Sequence, residues 1–344
     1  MGSSSNNTMR AARYHPKDNQ CRIDEIPIPT ITDTELLVKI KSASLCHSDL
    51  MLFEGSITAT EPVTMGHEGV GYIEQMGRNV KGFEQGQPVG FLYIKGVCFE
   101  CNGCQVHGLN CINGTPQIQG FGTDGMFAEY AAVDYRNAMI LPGNLDIETS
   151  APYFCGGITA FHSVDSCDLK PGQWMAIVGC GGLGQVGISI AKAMGFKVVG
   201  LDINDETLSV AKKCGADVTL NSRNANCEAA LREATGGGAD AAVVFSNAQA
   251  AYDTAAKLLK LGGILMVCGL PSKPLSFNAL DLMRQLYRIR SESTGPPQRM
   301  PKAMDFIAKH EIKPPVVRYK LDDIHEMIEL MQSGKSTSRM AVVF

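Results

Sequence analysis

The stretch WMAIVGCGGLG, Trp174 to Gly184, decides how the second half of this 344-residue chain folds. An apolar run suited to a buried strand passes straight into a glycine turn, and helix-forming sequence continues from Leu183 to Met194. The string Gly179-Cys180-Gly181-Gly182-Leu183-Gly184 supplies what a tight turn, a close backbone approach to a pyrophosphate and helix-to-strand packing each need. Asp202 follows at the end of the next apolar run, placed to accept hydrogen bonds from ribose hydroxyls and to repel a 2′-phosphate. No lysine or arginine lies between Leu201 and Val210 to reverse that preference, so NAD is expected over NADP.

Outward from that stretch the rhythm repeats. Strands are expected at Trp174 to Val178, Val198 to Leu201, Val218 to Leu220, Ala241 to Phe245 and Ile264 to Val267. Helices are expected at Leu183 to Met194, Glu206 to Lys213, Cys227 to Glu233 and Ala250 to Leu259. Short apolar strands alternating with helices build a doubly wound parallel sheet. Upstream, from Met9 to Pro142, alternating or apolar runs such as Glu35 to Lys41, Gly69 to Met76 and Met126 to Val133 are broken by glycine and proline, which is a β-rich pattern. Past Ser293 come a helix, Lys302 to His310, and a last short strand.

Composition closes off other classes. Thirty-one basic and 35 acidic residues are mixed along the chain for a net charge of −4, leaving no basic patch for a nucleic acid. The uncharged stretch Pro171 to Ala191 is interrupted by Gln173, Gln185 and the glycines from Gly179 to Gly187, so no membrane span is expected. Residues 1–8, MGSSSNNT, have no apolar core and read as a disordered leader; the expected location is cytoplasmic. The 12 cysteines are then expected as thiols or metal ligands, not disulfides.

Two groups of them carry chemistry. Cys46-His47-Ser48-Asp49, Gly66-His67-Glu68 and, further on, Cys155 offer two cysteines and one histidine, the three-ligand set of a catalytic zinc that keeps one position open. Cys98, Cys101 and Cys104, followed by Cys111, suit a closed structural zinc. These motifs, in this order over nearly the whole chain from Met9 to Phe344, resemble the zinc-dependent medium-chain alcohol dehydrogenases. The interval from Cys104 to Cys111 is one residue shorter than the family pattern, which leaves Cys111 after a local adjustment, or His107, as the fourth ligand.

The resemblance implies a GroES-like β-rich catalytic domain (9–145 with 294–344) and a Rossmann NAD-binding domain (146–293). It implies two Zn2+ per chain, one catalytic on Cys46, His67 and Cys155 and one structural. Glu68 would stand behind the catalytic zinc, Asp49 would orient the His67 ring, and Ser48 would accept the substrate proton. The family's relay histidine is replaced by Met51, which carries no proton. His47 and Arg339 would lie near the cofactor pyrophosphate, Thr159 and Leu270 near its nicotinamide. The only tryptophan, Trp174, falls in the cofactor-domain strand, so a roomy apolar pocket of Met51, Phe53, Ile57, Tyr93 and Phe154 is expected. The implied reaction interconverts a medium-size or aromatic alcohol and its aldehyde or ketone. The rivals are a 1,4-reductase of conjugated aldehydes and a non-catalytic zinc- and nucleotide-binding homologue. Assembly as a homodimer or homotetramer is implied by the SESTGPP region.

Overall fold

A computed structural model describes residues 7–344 except Ser272 and Pro314. Two compact units divide the chain: Met1–Cys155 with Gly295–Ala308 and Pro315–Phe344, and Gly156–Thr294 with Lys309–Pro314. Of the expected leader, residues 1–6 lie outside the described residues. Thr8 does not belong to a leader, because it opens the strand Thr8–His15, paired with Gln20–Pro27, and the Asn7 carbonyl accepts from Ile28 N.

The first unit is built on the 11-residue strand Glu35–Leu45, buried along most of its length. Its flanks carry three partners. Gly69–Met76 runs antiparallel along one edge, while Tyr130–Asp134 pairs with Glu35 to Lys39 and the C-terminal strand Arg339–Val343 pairs with Ser42 to Leu45 on the other. The registers bring three remote segments to one end: Met340 faces Leu45 and Gly69 faces Ala43, so Cys46 and Glu68 lie one residue beyond their strand ends, and Arg339 is the first residue of its strand, one before the partner of Leu45. The sheet continues through Pro88–Phe91 to Ala138–Ile140.

Phe154 explains how Cys155 reaches the same end of the sheet. The buried turn Ala151–Phe154 presses its ring onto Gly90, where an added Cβ would lie only 1.9 Å from the ring. Phe154, expected in the substrate pocket, is fully buried, with its ring packed on Gly90.

The second unit is a six-stranded parallel sheet in the order Val218–Asn221, Lys197–Asp202, Trp174–Val178, Ala239–Val244, Leu259–Val267, Tyr287–Ser291. The strands expected from apolar runs are present, and that of Ile264 to Val267 begins earlier, at Leu259. The sixth, YRIRS, breaks the apolar rule because it is an edge strand whose Arg288 and Arg290 face solvent. The helix Gly156–Asp165, buried almost throughout, and the helix Ile324–Gln332 also escaped the sequence pattern. The strand expected at Met126 to Val133 starts only at Tyr130, because Met126 and Phe127 bond back to the Met65–Gly66 backbone. Among the described residues no helix is long and apolar enough to cross a membrane.

Replacing Gly90 by alanine forces the Phe154 ring out of its seat. The expected loss is about 1–3 kcal/mol of stability, read as a lower thermal midpoint; an unchanged midpoint would show that the ring has room to yield.

Candidate functional site

Cys46, His67, Glu68 and Cys155 each bring one ligand atom into a cluster in which all lie within 4.8 Å of one another. Asp49, itself fully buried, ties two of them together. One carboxylate oxygen bonds His67 Nδ1 at 2.8 Å and the other accepts the Cys46 amide at 2.8 Å, so a single side chain fixes the turn His47–Met51 and the imidazole plane. With Nδ1 committed to Asp49, Nε2 is the nitrogen left for a metal.

Electrostatics match that arrangement. Burial works against a charged His67, but the Asp49 carboxylate and the Cys46 sulfur outweigh it and raise the imidazole well above its usual range. The hydrogen bond with the Cys155 thiol holds Cys46 low against burial, and holds Cys155 high. Burial pushes Glu68 up to about 7, with Arg339 pulling the other way. Glu68 Oε2 accepts from the Ser44 hydroxyl and from the Arg339 guanidinium, while Oε1 is buried without a hydrogen-bond partner. An orphaned carboxylate oxygen beside two sulfurs and an imidazole is the donor set of a zinc site.

Arg339, expected near a pyrophosphate, is paired with a carboxylate in the first unit. The guanidinium is buried against Glu68, because the register of the last strand sets Arg339 beside the Cys46 end of the sheet. His47 is exposed, and the half-buried Ser48 hydroxyl lies 3.9 Å from Cys46 Sγ. Tyr93 stands edge-on to the His67 ring with centroids 5.0 Å apart, and Phe121, which sequence reasoning missed, lies 5.3 Å from it. Met51 ends the turn begun by His47, whereas Phe53 and Ile57 are half-buried against the core.

Cys98, Cys101, Cys104 and Cys111 form the second cluster, again within 4.8 Å. Sulfur pairs are 3.7 Å (Cys98 and Cys111), 3.9 Å (Cys98 and Cys104) and 4.0 Å (Cys101 and Cys111) apart. A tetrahedron with zinc–sulfur bonds of about 2.3 Å has edges of about 3.8 Å, so the spacing fits zinc and not a disulfide. Amides point at the sulfurs, Cys101 N to Cys98 Sγ and Cys104 N to Cys101 Sγ at 3.4 Å each, and amides of Ile112 and Cys104 lower Cys101 to about 6. The short interval is absorbed by the turns Asn102–Val106 and Gly108–Asn110, which deliver Cys111; His107 caps the second of these through Nδ1. Of the other six cysteines, Cys21, Cys167, Cys180 and Cys227 are buried.

In the second unit the glycine turn has the expected geometry. Gly179 takes φ +90°, and a Cβ at Gly184 would sit 2.1 Å from the Gly179 carbonyl, so strand and helix touch backbone to backbone. At Gly181 nothing lies within 4 Å of an added Cβ, which leaves that side of the loop open, as a cradle for phosphate requires. Gly182 and Leu183 begin the helix Gly182–Ala193. Asp202 accepts from Cys180 N at 2.8 Å and from the Ile203 and Asn204 amides, a bracing role invisible in sequence. Gln185 also holds the loop, donating to the Cys180 carbonyl. Thr159 is buried, and Leu270 is exposed with its amide bonded to Asn247.

Comparison with known proteins agrees with both halves. Residues 32–143 match the alcohol dehydrogenase GroES-like domain and residues 182–309 the zinc-binding dehydrogenase family. An alcohol dehydrogenase of Moraxella sp. (strain TAE123) is 33% identical over 97% of this chain and 99% of its own, and one from Geobacillus stearothermophilus is likewise 33% identical over 97% and 99%. The crystal structure of the Aeropyrum pernix alcohol dehydrogenase superposes with a TM-score of 0.88 at 28% identity, over 97% of this chain and 100% of that one. A likeness that runs end to end, through both metal clusters and the glycine turn, makes the chain a member of the zinc-binding medium-chain alcohol dehydrogenase family.

Proposed function

We propose that this zinc-dependent alcohol dehydrogenase interconverts a medium-size or aromatic alcohol and its aldehyde or ketone, with NAD(H) as hydride carrier. The observation that carries the reading is the Cys46, His67, Cys155 cluster, buried but for the half-buried Cys155, with Glu68 behind it, three protein ligands that leave one coordination position for substrate. When bound, zinc supplies Lewis-acid stabilisation of the substrate oxygen and the nicotinamide supplies hydride transfer.

The remaining roles belong to side chains. Asp49 holds the His67 ring, and Arg339 balances the charge of Glu68. Ser48, beside Cys46, accepts the proton of the substrate hydroxyl. Met51 offers no onward carrier, so the proton leaves Ser48 for water. Tyr93, where bulkier tryptophan would narrow the site, and Phe121 support an apolar substrate. For the cofactor, the Gly179 to Gly184 loop cradles the pyrophosphate, Asp202 takes the ribose, and Thr159 and Leu270 meet the nicotinamide. Free thiols at both metal sites suit the reducing cytoplasm, and the unpaired edge of Tyr287–Ser291 suits a homodimer or homotetramer.

Zinc-loaded protein assayed with NADH and NADPH against saturated and α,β-unsaturated aldehydes tests this directly. Simple and allylic alcohols formed with NADH are expected; saturated aldehyde from an unsaturated substrate would instead establish 1,4-reduction. Asp202→Ala should lower the NADH-to-NADPH ratio of kcat/KM by about tenfold or more, since a repelling carboxylate is removed; an unchanged ratio would remove Asp202 from cofactor choice. Asp49→Asn should weaken catalytic zinc binding about 10–100-fold in chelator competition, and undiminished affinity would mean that the His67 ring needs no such support.

A further inference from the structure

The Cys98 to Cys101 knuckle contains a contradiction that a neighbouring side chain resolves. Phe99 adopts φ +65°, a left-handed conformation that favours glycine and is strained for a bulky residue. Yet Phe99 is a buried phenylalanine, packed with Ile94, Val97 and Cys104 at the base of the lobe. A glycine would make the same turn without strain, so the ring itself has a use. Above it lies the Arg136 guanidinium, 4.3 Å from the ring centroid.

Arg136 is held rigidly. Its Nε and one terminal nitrogen form a two-pronged pair with Asp134 at 2.9 and 2.7 Å, and Asp134 also accepts the Arg136 amide at 3.0 Å. The other terminal nitrogen donates to the Cys98 carbonyl at 3.4 Å. Asn137, on the same short turn Tyr135–Asn137, donates to the Ile94 carbonyl below the lobe. The turn is anchored through Tyr130–Asp134, which pairs with the strand Glu35–Leu45. One guanidinium therefore touches the peptide of the first zinc ligand, covers the strained residue after it, and is fixed to the main sheet.

We propose that Arg136 is the positioning residue of the structural zinc lobe: braced by Asp134, it clamps the Cys98 carbonyl and the Phe99 ring so that the first two thiols are held ready for the metal. The proposal rests on the four-cysteine zinc site. It assigns Arg136 no contact with substrate or cofactor. Arginine suits the post because a planar fork can stack and bond two partners at once, which an ammonium cannot.

The test uses full-length protein loaded with two zinc ions, with zinc release to a chromogenic chelator followed in time, and cobalt-substituted protein for its sulfur-to-metal charge-transfer bands. Arg136→Ala should accelerate one of the two release phases about tenfold or more, leave the other unchanged and alter the tetrathiolate bands. Arg136→Lys should recover only part of the rate. Phe99→Leu, which keeps the apolar bulk but not the ring, should speed the same phase, and combining it with Arg136→Ala should add little, as expected for partners in one contact. Release curves superimposable on those of the unaltered protein, equal acceleration of both phases, or full additivity of the two substitutions would each overturn the clamp. If Arg136→Ala does not fold, Arg136→Lys and Phe99→Leu decide the matter, and unaltered release in both rejects it.

Discussion

Two antiparallel registers against the strand Glu35–Leu45 set the position of everything chemical in the first unit. Pairing with Gly69–Met76 lays Glu68 beside Ser44, whose amide donates to the Glu68 carbonyl at 3.1 Å, and pairing with Arg339–Val343 lays Arg339 beyond Leu45. A slip of one residue in either strand would turn its side chains to the other face. The carboxylate would then lose its guanidinium, and His67 would leave Asp49. The fold therefore specifies the metal cluster through backbone hydrogen bonds before any side chain meets a ligand.

That placement has an energetic consequence. The Cys46 thiol, an imidazole, two carboxylates and a guanidinium share a region nearly closed to solvent, with the half-buried Cys155 beside them. Removing one member of a buried ion pair costs about 3–5 kcal/mol because the other is left uncompensated. Arg339 therefore belongs to the stability of the cluster as much as to its chemistry. Glu68 is divided between two demands, one oxygen bonded to Ser44 and Arg339 and the other unpaired on the sulfur side. The four-cysteine lobe solves the same problem differently. Its sulfurs receive backbone N–H groups, so charge is stabilised locally, and three of its four cysteines are only half-buried.

Much of this was legible in the chain. The parallel strands buried on both faces read as apolar runs, and the glycine turn stood in its strand and helix context. The ligand cysteines and histidine fell in recognisable groups. What escaped has physical causes. Tyr287–Ser291 is an edge strand with outward arginines, so it lacks the apolar signature. The partner of Arg339 depends on a pairing between segments 271 residues apart, which no local pattern carries. Phe154 sits beside a ligand yet belongs to the core, because Gly90 leaves a hole that only its ring fills. The choice of Cys111 over His107 turned on two short turns whose lengths compensate the missing residue. The hold of Asp202 on the loop amide was not legible, because it depends on where two strand ends meet.

The central claim is that one unit holds two zinc ions in different donor sets, four sulfurs in one and two sulfurs with imidazole and an oxygen in the other. Zinc-edge X-ray absorption on the purified protein measures it most directly. The account predicts a first shell averaging about three sulfurs and one nitrogen or oxygen per zinc, the mean of the two sites. A shell of sulfur alone, or one dominated by nitrogen and oxygen, would contradict it.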